Sequence, residues 1–246
     1  MTTLRHLANA PIQEGLIDLR LGFTIPPDQE KLNLLAAKLQ DAYEISKPLH
    51  KYEAHFAFGD GMATADAPMP LHVGMRFQSV NSNFVFQAQP DGFTLSMLRP
   101  YGGWDKLLAE ARRLWTIYAE ITIPLEIQRV AVRYINQFEV YQQFLQVGKV
   151  LVNPPLVPDG LPNNLQSFLT RIQINAPEQN ATILVTQVME PLSAGKFNFM
   201  VDIDVFKQVG YLIHDDDLWE DLNSLRALKN QTFFASLTEE MLGTFA

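Results

Sequence analysis

A strict alternation of side chains over residues 125–140, LEIQRVAVRYINQFEV, is the feature that most constrains the fold. Val130, Val132 and Tyr134 fall on one side of an extended backbone, whereas Arg129 and Arg133 fall on the other. Successive side chains of a strand point to opposite faces of its sheet, so the pattern predicts one long strand with an apolar face and a charged face.

Other segments repeat this alternation and are joined by short turns. We predict strands at 12–23, 51–59, 71–80, 83–89, 92–98, 125–140, 167–175, 181–190 and 196–206, and helices at about 26–44, 104–120 and 215–245. Because strands follow one another in runs, we predict an α+β fold with mainly antiparallel sheet or sheets. Long helices would pack on the sheet, and the two halves of the chain would be loosely alike.

The length of 246 residues and the 47% of hydrophobic residues are typical of a globular protein with a sizeable core. We predict a single domain over residues 1–246. An alternative division gives two lobes, 1–122 and 123–246. Residues 151–164 contain four prolines and predict an extended loop, which is the best candidate for a boundary or a lid.

Charge and composition exclude several classes of function. The net charge is −8 and no run of Lys and Arg is present, so we do not expect direct nucleic-acid binding. The absence of cysteine excludes disulfides, thiolate nucleophiles and cysteine zinc sites. The first residues lack a signal-peptide pattern, and no apolar run reaches the ~20 residues that span a bilayer. We therefore expect a cytoplasmic protein without membrane contact.

The residues just before the predicted helix at 104–120 are the first candidate site. Helix N-termini attract anions, so Arg99, Tyr101 and the backbone amides of Gly102 and Gly103 are candidates for binding an acidic or phosphate-bearing ligand. In the alternative interpretation, Arg99 pairs with a carboxylate and Tyr101 covers the core. The helix itself carries an apolar face whose members are Trp104, either Leu107 or Leu108, Ala111, Trp115, Tyr118 and Thr122.

The segment VDIDVF places Asp202 and Asp204 on one face of a strand, where two carboxylates are candidate Mg²⁺ ligands. Arg133 is a further candidate ligand-binding residue on a polar strand face. A charged groove would be lined by these three residues together with Glu14, Asp18, Arg20 and Arg129. The alternative is a solvated sheet face crossed by ion pairs between strands.

Four motifs occur in a characteristic order: APIQEGLIDLR, LRPYGGWDKLLAEARRLWTIY, QRVAVRYINQ and FFASLTEEM. Because of these four motifs, the chain resembles a sporadically distributed bacterial family of uncharacterised proteins of about this length. Its most specific parts are the aromatic core from Pro100 to Tyr118 and the RYIN segment from Arg133 to Asn136. Gly15 stands where alanine is expected. The resemblance implies no activity and no catalytic residue, but a patchy distribution implies an accessory system of the toxin–antitoxin or phage-defence type.

Two functions remain open at this point. In the first, the chain is a non-enzymatic protein that binds a protein partner in such an accessory system, and its acidic surface suits a basic partner. In the second, it is a phosphate- or nucleotide-handling binding protein or a metal-dependent enzyme that uses the charged strand faces. We leave enzymatic activity open with a binding role favoured, expect no cofactor, and keep a homodimer as an alternative.

Overall fold

The computed structural model describes residues 7–53, 56–59, 62–65, 69–81, 83–162 and 164–246. The strands are β1 Ile12–Gly22, β2 Ile45–Glu53, β3 Phe56–Gly59, β4 Met62–Ala65, β5 Met69–Gln78, β6 Phe84–Gln89, β7 Gly92–Leu98, β8 Glu126–Tyr141, β9 Phe168–Ala176, β10 Ala181–Leu192 and β11 Lys196–Leu212. The helices are α1 Gln29–Leu39, α2 Trp104–Thr122, α3 Val147–Val150, α4 Asp217–Ser236 and α5 Glu239–Gly243. Three single-turn 3-10 helices lie at Gln142–Phe144, Pro177–Gln179 and Ser193–Gly195.

Nine of these strands form one sheet in the order β2-β5-β6-β7-β1-β8-β11-β10-β9. Every pair of neighbours is antiparallel. The strands β3 and β4 form a separate hairpin. Strands from the first part of the chain meet strands from the second part where β1 pairs with β8, so the sheet is continuous across the molecule.

The alternation seen in the sequence decides which face of the sheet is buried. Ile17, Val132 and Val205 are fully buried and lie side by side in register on β1, β8 and β11. Helix α2 contacts β7 and β1 on this face, and α4 contacts β8 and β11. The predicted apolar face of α2 is confirmed, because Trp104, Leu107, Ala111, Trp115, Tyr118 and Thr122 are all buried.

The predicted fold class is wrong. We expected an α+β protein with sheets, long helices packed on them and two loosely alike halves, whereas the molecule is mostly sheet. The long strands β8 and β11, of 16 and 17 residues, join the predicted strand runs in a single nine-stranded layer. Alternation within a strand shows its two faces but not its neighbours, so the strand order could not be read from the pattern.

The proline-rich segment lies between α3 and β9. Leu151 forms an isolated bridge to Leu237, and the described residues that follow it up to β9 belong to no helix or strand. The division into one domain or two lobes stays a prediction. In the described part of the chain, no helix is both long enough and apolar enough to cross a bilayer.

Candidate functional site: a lysine pocket beside the start of α2

The predicted turn from Arg99 to Gly103 lines a cavity of about 520 Å³, which we call the lysine pocket. The turn leaves β7 and leads into α2, and it forms one wall. The other walls come from the segment before β1, from β8 and from α4. The lining residues are Leu7, Ala8, Asn9, Ala10, Ile12, Arg99, Pro100, Tyr101, Gly102, Gly103, Trp104, Tyr134, Asn136, Arg226, Lys229, Asn230, Phe233 and Phe234.

The backbone of the turn explains its two glycines. Gly103 precedes α2 with a φ of +107°, a conformation in which a side chain would be strained. The N-cap residue of α2 is Gly103 itself, which has no side chain to cap the first turn. The Gly102 amide is directed inward, where it donates to the sulfur of Met97 at 3.0 Å. The start of this 19-residue helix thus lies at the pocket wall, where Gly103 and Trp104 line the cavity and the N-cap residue supplies no capping oxygen.

Two tyrosines form the floor of the pocket. The hydroxyls of Tyr101 and Tyr134 share a hydrogen bond, and their rings meet edge to face with centroids 5.4 Å apart. Gly15 lies beneath them, opposite Tyr134 in the β1–β8 ladder. A Cβ atom at Gly15 would lie 2.9 Å from both rings. A side chain at this position would force the two tyrosine rings to shift, so the glycine leaves room for the pair.

Lys229 extends from α4 over this floor and is only 6% exposed. Its ammonium lies 3.6 Å from the centroid of the Tyr134 ring and donates to Oδ1 of Asn230 at 2.6 Å. Among the described residues, no acidic side chain forms an ion pair with it. Burial, together with the nearby charge of Arg226, lowers the pKa of Lys229 to about 7.

The other charges of the pocket are also positive. The Arg226 guanidinium lies 5.6 Å from the centroid of the Trp104 ring, whose indole N–H donates to Asn223 at 2.8 Å. Arg99 is exposed at the edge of the pocket, and in the described structure it forms no ion pair, so the predicted alternative of a carboxylate partner is not seen. No carboxylate is found among the described residues that line the pocket.

The tyrosine hydroxyls stay protonated in these surroundings. Burial raises the pKa of Tyr101 above its usual value, and its hydrogen bond with Tyr134 only partly offsets this. Burial raises the pKa of Tyr134 further, and Tyr101 adds to that shift. At neutral pH the pocket therefore offers two neutral hydroxyls, two arginines and one amine near its midpoint of titration.

Arg133, Asp202 and Asp204 lie on the opposite face of the sheet, because Arg133 and Tyr134 are consecutive residues of β8. Arg133 donates to both carboxylate oxygens of Asp202, at 2.8 and 2.6 Å. Arg129 bridges Asp204 at 2.9 Å and Asp18 at 2.8 Å. This ion-pair face, made of Asp18, Arg20, Arg129, Arg133, Asp202 and Asp204, matches the alternative of cross-strand ion pairs. The predicted charged groove is also present, because Glu14 and all of these residues except Asp202 line one cavity of about 510 Å³.

The predicted site residues are thus divided between two places. Arg99, Tyr101, Gly102 and Gly103 come together in the lysine pocket. Both predicted metal ligands, Asp202 and Asp204, form ion pairs with arginines. Burial raises the pKa of Asp204, and the positive charges of Arg129 and Arg133 offset only part of that rise. In the described structure, no group of three His, Asp or Glu side chains is placed to hold a metal ion. The metal site stays a prediction.

Sequence reasoning missed Lys229, Arg226 and Asn230, all on α4. The signal was present in the spacing of the buried residues of that helix, which are Leu218, Leu222, Leu225, Lys229 and Phe233. A lysine stands where the helical period demands an apolar residue. Lysine is rarely buried without a partner, so its place in this apolar series is a sequence signal for a functional position.

The chain matches no protein-family model and no curated protein sequence.

Proposed function

We propose that the protein binds a small organic anion in the lysine pocket. The observation that carries this proposal is the charge of the lining, which among the described residues holds Arg99, Arg226 and Lys229 and no carboxylate. The chain as a whole has a net charge of −8, so the pocket concentrates positive charge against the general balance. Such a concentration in a concave, partly apolar site is what an anionic ligand requires.

The geometry also indicates the size and form of the ligand. A cavity of about 520 Å³ is in the range of small-molecule sites. The arginines and the uncapped start of α2 offer N–H donors to a carboxylate or phosphate. The rings of Tyr101, Tyr134 and Trp104 offer an apolar surface to the rest of the molecule.

Titration calorimetry with simple carboxylates, sugar phosphates and nucleotides tests this proposal. We expect an anion from this panel to bind, and Arg226→Gln to weaken its binding about tenfold or more, because a hydrogen bond to a charged group contributes about 1.5–3 kcal/mol. Arg171→Gln is the matched control, since Arg171 lies exposed on β9, away from the pocket. Absence of binding across the panel, or equal affinities for both variants, would contradict the proposal.

Binding of a protein partner is the second candidate function, and it is supported by β9. This strand ends the sheet, so one side of its backbone has no neighbouring strand in the sheet. Its apolar side chains are unusually open, with Leu169 70%, Ile172 54% and Ile174 42% exposed. An extended peptide of basic character would suit such an edge in an acidic protein. Loss of partner capture when β9 is given positive charge is the test.

Under this second candidate the partner belongs to an accessory bacterial system. That assignment rests on the four sequence motifs and on the family they resemble, and family membership is itself a proposal. The cytoplasmic location is proposed on the same terms.

A further inference from the structure

Lys229 has the surroundings of an amine that acts as a nucleophile. A nucleophilic amine must be unprotonated, and this one is buried, has no described ion-pair partner and lies near a second cation. With a pKa of about 7, roughly half of the Lys229 side chains carry a neutral amine at neutral pH. An ordinary exposed lysine is neutral at that pH in on the order of one molecule in a thousand.

The groups that face the amine come from three elements. On α4, the Oδ1 atom of Asn230 accepts a hydrogen bond from the Lys229 amine. Arg226 precedes Lys229 by three residues, so the side chains of Arg226 and Lys229 lie on the same side of the helix. On β8, the Tyr134 ring lies directly beneath it. In the turn before α2, Tyr101 bonds to the Tyr134 hydroxyl, and the charge of Asp105 acts on Tyr101 rather than on the amine.

This arrangement matches a ligand in which a carbonyl group is attached directly to a carboxylate. The guanidinium of Arg226 would bind the carboxylate, and the neighbouring amine would then lie next to the carbonyl carbon. An alcohol of the same shape would satisfy the arginine equally well but would offer the amine no electrophilic carbon. Arg226 and Lys229 stand one helical turn apart on α4 and line the same pocket, so a ligand whose carbonyl adjoins its carboxylate is of a form that could meet both.

We propose that the lysine pocket takes 2-oxo acids and that Lys229 binds them covalently as an imine. The inference rests on the proposed function, because the carboxylate must first be held by the arginines. The amine nitrogen forms a bond to the carbonyl carbon as the carbonyl π bond breaks. Both protons of the amine end on the carbonyl oxygen, which leaves as water, and a C=N bond remains. No oxidant, reductant or further reactant is consumed.

The tyrosine pair lines the same pocket as the amine, with the centroid of the Tyr134 ring 3.6 Å from it and the two hydroxyls joined by a hydrogen bond. Both hydroxyls are neutral at neutral pH, so either one that comes within hydrogen-bond reach of the bound ligand would exchange a proton with its departing oxygen. Their mutual hydrogen bond allows a proton taken up at one hydroxyl to be released from the other. The burial of Lys229 also limits the access of the water that would hydrolyse the imine.

Borohydride trapping with pyruvate tests the proposal on the full chain. Reduction converts an imine to a stable secondary amine, which peptide mass spectrometry places on a particular lysine. At pH 7 we expect Lys229 to be labelled about a hundredfold or more faster than the exposed lysines, because far more of its amine is neutral. Lys229→Met should abolish this label. Lys149→Met is the matched control, since Lys149 is exposed and paired with Glu240, and it should leave the Lys229 label intact.

L-Lactate separates this proposal from the simpler one of anion binding. It carries the same carboxylate as pyruvate but has a hydroxyl in place of the carbonyl. If both acids bind reversibly in calorimetry and pyruvate never labels Lys229, the imine is refuted and anion binding stands. If neither acid binds and no other anion does, both proposals fail. Labelling spread evenly over exposed lysines also overturns the imine, provided that circular dichroism shows the protein folded.

Discussion

At the scale of single residues, Lys229 opposes folding at neutral and low pH. Its pKa is 10.5 when the chain is unfolded and about 7 in the folded protein, so the unfolded chain binds more protons between these two values. The contribution of Lys229 to the free energy of unfolding therefore increases as the pH rises from 7 to 10.5. Below pH 7 the full penalty is present, and it is on the order of 3–5 kcal/mol.

Lys229→Met removes this titration while it keeps the length and apolar stem of the side chain. We expect the variant to be more stable than the natural protein at pH 6–7 and to lose that advantage by about 1 kcal/mol for each pH unit above 7. Urea unfolding at pH 6, 7, 8 and 9 measures the difference, and Lys149→Met should show no such trend. A difference that stays constant with pH would show that Lys229 is not held neutral by the fold.

At the scale of secondary structure, alternation and helical spacing predicted most elements well. The strand expected at 125–140 is β8 at Glu126–Tyr141, and the helix expected at 104–120 is α2 at Trp104–Thr122. The strand expected at 51–59 is found in two parts, because 51–53 end β2, which begins at Ile45, and 56–59 form β3 in the hairpin, while residues 54 and 55 lie outside the described part of the chain. Pro48 lies within β2, which is an edge strand where a missing N–H is tolerated. Because proline is rare inside strands, the sequence pattern did not predict a strand at this residue.

The candidate site was predicted only in the part that is local in sequence. The turn from Arg99 to Gly103 was found because its cation, aromatic ring and glycines are adjacent. Tyr134 and Lys229 reach the same cavity from β8 and α4, and no local pattern connects elements so far apart. Arg133 was also predicted to bind a ligand, but it lies on the face of the sheet opposite to Tyr134, because residues that follow one another in a strand point to opposite faces.

The exposed edge strand β9 makes the second candidate function testable. Ile172→Lys combined with Ile174→Lys places two charges on the open face of this strand, where we expect loss of partner capture in pulldowns from the native host. Because both positions are about half exposed, the free energy of unfolding should fall only modestly. Leu156→Lys, at a residue 94% exposed in the proline-rich segment, is the control. Unchanged capture by the double variant would exclude β9 as the docking strand.

At the scale of the whole molecule, the continuous sheet predicts that the two ends of the chain unfold together. The buried hydrophobic residues form a single cluster that includes Leu95 and Tyr118 from the first part and Phe199 and Leu242 from the second. β1 joins these parts, since it pairs with β7 on one side and with β8 on the other. A destabilising substitution in β1 should therefore lower protection from hydrogen exchange as much in β10 as in β6.

Ile17→Ala tests this coupling, because Ile17 is fully buried and lies opposite Leu95 in β7 and Val132 in β8. The cavity should lower the free energy of unfolding by about 2–5 kcal/mol. In hydrogen exchange followed by mass spectrometry, we expect protection to fall by a similar factor in peptides from β6 and from β10. Leu125→Ala, at an exposed residue just before β8, should change neither. Loss of protection in β6 alone would instead show that 1–122 and 123–246 unfold as separate lobes, despite the unbroken ladder between β1 and β8.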